Sequence, residues 1–226
     1  MRRLRQWIPV NDSHEEIVGR LRRRAPVDLV VHVGAHLAEE APLYRSLGVK
    51  KILWIEADPI LFNRLKSSLS GPDSWTDHVF VQSLVSSRSG EEVTLYHYSN
   101  DGSSNSVYQP TDALLERWPA VRPTGASSVV ATSTLRDILS SAGVDPQSYE
   151  TSLLVIDVQG HELQVLEGAT PEIISSFSMI CVEVSMQPLY HGAAGGDLVT
   201  AWIQQCGFRV GTPIPKVHGD ILFLRE

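Results

Sequence analysis

Val30-Val31-His32-Val33-Gly34-Ala35-His36, read together with Trp54-Ile55-Glu56, decides the fold of this chain. The first stretch belongs to a short run, Asp28–Val33, rich in β-branched residues and closed by Gly34. Such a run is apolar on both faces, which suits a strand buried within a parallel sheet. Gly34 lets the backbone turn and pass close beneath a ligand. Lys51–Glu56 reads as a second buried strand, ending in a carboxylate 22 residues beyond Gly34. In open parallel sheets a carboxylate at about that separation accepts hydrogen bonds from ribose hydroxyls. The pair predicts a nucleoside-binding crevice at the strand ends.

The same alternation extends in both directions. Residues 14–23 read as an amphipathic helix with Ile17, Val18 and Leu21 apolar, Ser13 as its N-cap and Pro26 ending it. Helices are expected over 38–47 and over 59–69, the latter opened by Pro59. Strands are expected at His78–Gln82 and Val93–Tyr98. Residues 99–131 read as loop, since Gly102–Ser106 and Pro110, Pro119 and Pro123 interrupt any period. Thr134 caps a helix running through Ala142. Buried strands follow at Leu153–Val158 and Met179–Val184, with helices over 161–168 and 196–206. Phe208–Gly211 and Ile221–Arg225 close the chain as a strand pair with no helix between them. Alternating strands and helices imply a mostly parallel α/β sheet, Rossmann-like, with helices on both faces and an antiparallel C-terminal pair. Class I methyltransferases have this architecture, but architecture alone does not name an activity.

The 226 residues suffice for one domain with a sizeable core, and we read 1–226 as one domain with 1–26 as a helical extension. At 42% hydrophobic, 20% charged and a mean hydropathy of −0.05, the composition is that of a globular chain. No apolar run reaches the roughly 18–20 residues of a membrane helix. The early arginines have no apolar stretch behind them, so no secretory signal is expected. Cys181 and Cys206 are isolated, with neither metal-site nor disulfide spacing, which makes the cytoplasm the expected compartment. Residues 1–24 hold seven arginines against Asp12, Glu15 and Glu16, while the whole chain stands at −7. The body is therefore acidic, which argues against a nucleic-acid partner. The cluster Arg20, Arg22, Arg23 and Arg24 reads as a solvated helix end.

In this fold the chemistry sits at the strand ends. The candidate cofactor residues are therefore His32, Gly34, Ala35, His36 and Glu39 after the first strand and Glu56 and Ala57 after the second. Gln82, Ser83 and Leu84 follow the third, and Asp157 and Val158 the buried strand downstream. A dinucleotide fingerprint needs glycines that Gly34-Ala35-His36-Leu37-Ala38-Glu39 lacks. Glu39 and Glu40, read as the start of the next helix, would repel a pyrophosphate. They suit a sulfonium cofactor with an amino-acid end, so S-adenosylmethionine is favoured over a nicotinamide dinucleotide. Asp157 and His161 are the candidate bases for a hydroxyl acceptor. Asp157 and Glu183 stand at neighbouring strand ends and read as hydrogen-bonded carboxylates that shape a pocket, with no metal called for. His97, His191 and His218 read as loop or edge histidines without a catalytic role. Ser103, Ser104, Gln159, Glu183, Tyr190 and His191 are the candidate substrate residues, on loops that act as lids.

These residues together resemble the FkbM family of methyltransferases. The family pairs a Val-Asp-Val-Gly-Ala-Asn/His strand end with Glu-x-x-Pro at the second strand. The counterparts are His32-Val33-Gly34-Ala35-His36 and Glu56-Ala57-Asp58-Pro59. The most specific part is Ile156–Ala169, where Asp157, Gly160, Glu162, Val165, Leu166, Gly168 and Ala169 fall in register with the family pattern. Ser103-Ser104 resembles the family's Ser-Ser segment, and the likeness spans about 27–225. His32 stands where aspartate is usual and Ala38 where glycine is usual. The resemblance implies methyl transfer from S-adenosylmethionine to a hydroxyl of a sugar, polyketide or other secondary metabolite. The expected partner is a small-molecule hydroxyl acceptor, with neither nucleic acid nor membrane, and a homo-oligomer is compatible with it. The alternatives are a non-catalytic nucleoside-cofactor-binding module and, behind it, a nicotinamide-dependent oxidoreductase.

Overall fold

The structure, a computed structural model, describes residues 12–71 and 74–225. In chain order it runs α1 (Asp12–Arg22), β1 (Leu29–Val33), α2 (Ala41–Ser46), β2 (Lys51–Glu56), α3 (Pro59–Leu69), β3 (Asp77–Gln82), β4 (Leu84–Val85) and β5 (Glu92–Tyr98). It continues with α4 (Asp112–Arg117), β6 (Pro123–Ser133), α5 (Leu135–Ala142), β7 (Ser152–Ile156), α6 (Glu162–Ala169), α7 (Pro171–Ile174), β8 (Met179–Ser185), α8 (Gly196–Gln205), β9 (Phe208–Val210) and β10 (His218–Arg225). Seven strands form one sheet in the order β3-β2-β1-β7-β8-β10-β9. Its first five members are parallel, and β10 runs antiparallel to both β8 and β9. The order reverses between β1 and β7, so the crevice lies over their carboxyl ends.

The core follows from strand alternation. Leu29, Val31 and Val33 point to one face of the sheet, where they pack with Leu166 of α6 and Ile203 of α8. Val30 points to the other, with Ile52, Trp54, Tyr44 of α2 and Ile17 and Leu21 of α1. Both faces are covered, which is why the strands read as nearly continuous apolar runs. Thr134 caps α5 as expected, its hydroxyl accepting from the Asp137 N–H at 3.1 Å. Asp58 caps α3, accepting from the N–H groups of Ile60 and Leu61.

Four expectations are corrected. Residues 99–131 are not a loop throughout: they contain α4 and most of the eleven-residue strand β6. β6 pairs antiparallel with β5 and parallel with β4 in a separate three-stranded sheet. Its Ser- and Gly-containing sequence lacks an apolar stripe, because most of its length is exposed and cross-strand pairing holds it. The second helix does not begin at 38. His36 and Ala38 adopt left-handed φ of 46° and 60°, so the helix starts at Ala41, and Glu39 and Glu40 precede it. Ser13 lies inside α1, not at its cap. The last strand begins at His218, three residues before Ile221, which carries His218 and Asp220 into the sheet. Arg2, Arg3 and Arg5 of the N-terminal arginine set lie outside the described residues, whereas Arg20 pairs with Glu16 at 2.7 Å along α1. No helix among the described residues is long and apolar enough to cross a membrane.

Candidate active site

The ends of β1, β2 and β7 open onto a narrow groove of 60 Å³. Gly34, at φ 80°, permits its geometry: a Cβ there would lie 1.8 Å from the Asp157 carbonyl oxygen. β1 and β7 can therefore turn into the groove side by side only with glycine at this position. The N–H groups of Gly34 and Ala35 both donate to the Ile55 carbonyl. Glu56 is held by its neighbours' backbone. Its Oε2 accepts from the His36 N–H and its Oε1 from the Asp58 N–H, each at 2.8 Å. Burial pushes its carboxyl up to about 7, against the pull of those two donors. Each oxygen keeps a further lone pair, so the carboxylate can still accept from a vicinal diol.

A loop closes this groove from above. His36 Nε2 meets the Asp101 carbonyl at 2.9 Å, and its Nδ1 meets Glu39 Oε1 at 2.7 Å. Burial opposes charge on His36, but Glu39 and the Asp101 carbonyl outweigh it and hold the ring above the usual histidine range. Asn105 Nδ2 donates to Asp58 Oδ2 at 3.0 Å, and Ser106 Oγ donates to the Gln159 carbonyl at 2.7 Å. Gly102, Ser103, Asn105, Ser106 and Val107 line the groove from this loop. At 60 Å³ the groove is far narrower than the cavities that hold drug-sized ligands.

A second cavity of 660 Å³ lies on the α1–α2 side of β1, β7, β8 and β10. Ile17, Val18, Leu21, Leu43, Leu153 and Val155 give it apolar walls, and Glu39, Glu40, Asp157, Glu183 and Asp220 give it carboxylates. Asp157 alone among the described residues lines both the groove and this cavity. Glu183 is buried in β8, and its Oε1 stands 3.2 Å from His218 Nε2. Burial lowers the affinity of His218 for a proton, but the charge of Glu183 prevails and raises it to about 9. Glu183 itself is raised, first by burial and then by the charge of Asp157. Gln159 Nε2 bridges the two carboxylates, donating to Asp157 Oδ1 at 2.7 Å and to Glu183 Oε2.

His161 stands apart from this cavity. It lines the groove, with Nδ1 3.2 Å from Tyr108 Oη and Nε2 3.1 Å from Ser86 Oγ. Burial pushes it down to about 4. A ring with both nitrogens engaged and so little affinity for protons is a poor general base. Glu162 beside it accepts from the Gly160 N–H at 2.9 Å and is pushed up to about 8 by burial, so it pins the turn between β7 and α6.

The chain's remaining candidates divide. Gly34, His36, Glu56, Ala57, Ser83, Leu84, Val158, Ser103 and Gln159 line the groove with Asp157 and His161. Glu39 and His32 line the larger cavity, where the His32 Nδ1 meets Tyr44 Oη at 3.0 Å and the ring packs against Trp54. Ala35 is fully buried in the core beneath. Gln82 and His191 are exposed, and Ser104 accepts from Asn100 Nδ2 in the loop. Tyr190 is buried and donates to Gln159 Oε1 at 3.0 Å.

A family model described as the methyltransferase FkbM domain matches residues 32–210. The chain belongs to the FkbM methyltransferase family. The match covers the strand ends that build both the groove and the cavity, apart from the His218–Asp220 wall contributed by β10. No curated protein matches the chain. Among solved structures, the PH0226 protein from Pyrococcus horikoshii OT3 is similar, at 6% identity and a TM-score of 0.50, over 95% of this chain and 89% of that one. Magnesium protoporphyrin IX methyltransferase from Synechocystis PCC 6803, solved with bound S-adenosylmethionine, is similar at 9% identity and a TM-score of 0.49, over 94% and 77%. At such identities the likeness concerns the fold alone.

In this FkbM-family chain two residues outside the sequence-derived set join the site. His218 was read as an edge histidine; it is a buried partner of Glu183. Asp220 stands opposite Glu183 in the β8–β10 register. Their position depends on a strand pairing across more than thirty residues, and no local spacing reports it. Asn105, by contrast, lies in the serine-rich segment singled out from sequence, although its bond to the α3 cap needed the fold to appear.

Proposed function

We propose that this chain methylates a hydroxyl of a small molecule with S-adenosylmethionine as donor. The observation that carries the reading is the position of Asp157, the residue shared by the narrow groove and the 660 Å³ cavity. A volume of that order suits a small organic ligand. The residues of the groove, with Glu39 from the cavity beside it, suit the cofactor. Glu56 offers its carboxylate to the ribose diol, Ser83 and Leu84 flank the adenine side, and Asp157 and Glu39 offer negative charge to the sulfonium and ammonium. Bound there, S-adenosylmethionine supplies a methyl group already activated for in-line displacement.

The protein's own part is then alignment and proton removal. Asp157, at the junction, receives the hydroxyl proton as the acceptor oxygen reaches the methyl carbon. His161 serves the groove wall instead, as its engaged nitrogens and lowered proton affinity require. The loop 99–108 opens for the cofactor and closes over it. The test is calorimetric titration of S-adenosylhomocysteine, followed by incubation with S-adenosylmethionine and a panel of hydroxylated sugars and polyketides. Micromolar binding and an acceptor that gains one methyl on oxygen are expected. No binding, or a product methylated on nitrogen, would overturn the reading.

A further inference from the structure

We propose that Gln159 is the positioning residue of the acceptor side, holding Asp157 and Glu183 in one fixed arrangement and tying them to the loops that close the site. The assignment of an acceptor side rests on the methyltransferase reading; the network itself is a property of the free protein. Gln159 sits at φ 55°, a left-handed conformation that costs a non-glycine residue free energy. Gly160 follows at φ 102°, where a Cβ would press on Ala193 at 3.0 Å, so the turn is tightly enclosed. The turn carries Gln159 to a point where its side chain meets three elements. Its Nε2 donates to Asp157 after β7 and to Glu183 in β8, and its Oε1 accepts from Tyr190. Its carbonyl accepts from Ser106 in the loop over the groove.

The chemistry selects an amide. Two donors on one nitrogen and an acceptor oxygen on the same short side chain are what a carboxylate pair and a tyrosine hydroxyl require. Ionised glutamate at this position would offer only acceptors, and lysine only donors. The amide holds together two carboxylates that otherwise repel each other. Glu183 is gripped from both sides, by Gln159 at Oε2 and by His218 at Oε1, while Ser185 Oγ meets His218 Nδ1 at 3.0 Å. His218 therefore reports on where Glu183 stands. Asp157, Asp220, Cys181, Tyr190 and Glu162 also interact with this pair from the strands, the 186–193 segment and α6. His14, Glu15, Glu39, Glu40 and His32 line the same cavity from α1, from the β1–α2 connection and from β1.

The test uses the full chain without ligand and follows the His218 ring by NMR as pH is raised, in wild type, Gln159→Gly and Gln159→Glu. Glycine accepts the left-handed backbone, so the fold is expected to persist while the bridge is lost. The His218 midpoint is expected to fall by at least one pH unit in Gln159→Gly. Amide exchange in 99–108 and 186–193 is expected to rise at least tenfold. In Gln159→Glu, exchange should stay near wild type at low pH, where the protonated side chain still donates, and rise as it ionises. An unchanged His218 midpoint in Gln159→Gly overturns the proposal. Should that variant fail to fold, a ratio of Gln159→Glu to wild-type exchange rates that stays constant across pH overturns it. Failure of wild type to bind S-adenosylhomocysteine would strike the methyltransferase reading instead and leave this outcome separately measured.

Discussion

The groove over β1 and β2 and the cavity over β7, β8 and β10 meet at Asp157, yet they hold their charges by different means. In the groove, Glu56 is fixed by two backbone N–H groups from residues close to it in the chain or at the adjoining strand end. In the cavity, Glu183 is fixed by side chains, an amide from the β7–α6 turn and an imidazolium from β10. Backbone donors come with the fold and tolerate changes in side chains. Side-chain donors must each be present, and the loss of one leaves a buried charge without its counterpart. The groove is thus a property of two strand ends, and the cavity is a property of the packed sheet.

The sharpest way to break this contrast acts on both halves at once. Gly34→Ala places a methyl group against the Asp157 carbonyl at a left-handed φ, where β1 and β7 cannot separate without loss of the sheet. A loss of about 3 kcal/mol or more is expected in chemical denaturation. Native-like stability would show that the two strand ends are not in close register. His218→Gln probes the cavity alone. It leaves Glu183 buried without its cation, at an expected cost of about 3–5 kcal/mol at pH 6. The proton affinity of His218 is raised in the folded protein to about 9, from 6.5. Its contribution is therefore complete below about 6.5 and is lost as pH rises through about 9. The difference between wild type and His218→Gln should shrink over that interval, and a constant difference would reject the ion pair.

Glu56→Ala probes the groove. On the cofactor reading proposed above, it removes an acceptor of two ribose hydrogen bonds, each worth about 1.5–3 kcal/mol when charged, so binding of S-adenosylhomocysteine should weaken at least tenfold in calorimetry. Unchanged affinity would remove Glu56 from the cofactor site. The smallest effect is expected outside both halves. Thr134→Ala deletes the α5 cap and should cost about 1 kcal/mol in thermal denaturation while leaving cofactor affinity unchanged.

How far the sequence could be read depended on how local each feature was. The buried strands and α3 announced themselves through apolar runs and Pro59, and the observed bounds fall within a residue or two of those expected. The carboxylates Glu56, Asp157 and Glu183 were legible because strand ends face the crevice in any sheet of this kind. β6 was not legible, since an exposed strand needs no apolar alternation and takes its order from β5. α2 was misplaced because the left-handed φ of His36 and Ala38 carries no signature in non-glycine residues. His161 looked like a base by its place at a helix start. Only packing showed that Tyr108 and Ser86 occupy both of its nitrogens.

The sequence by itself determined the parallel sheet, the position of its crevice and the acidic character of that crevice. Each follows from short-range patterns: apolar period, a glycine after a strand, a carboxylate at its end. Tertiary structure alone decided which charges became partners. Gln159 reaches Glu183 across 24 positions, and His218 reaches it across 35 through the antiparallel register of β10 on β8. Pairing of that kind is set by strand order and register, which are global outcomes of packing and have no local signal in the chain. The segment around Gly34 named the crevice, and the fold then assigned its two sides: backbone donors to the groove, side-chain donors to the cavity.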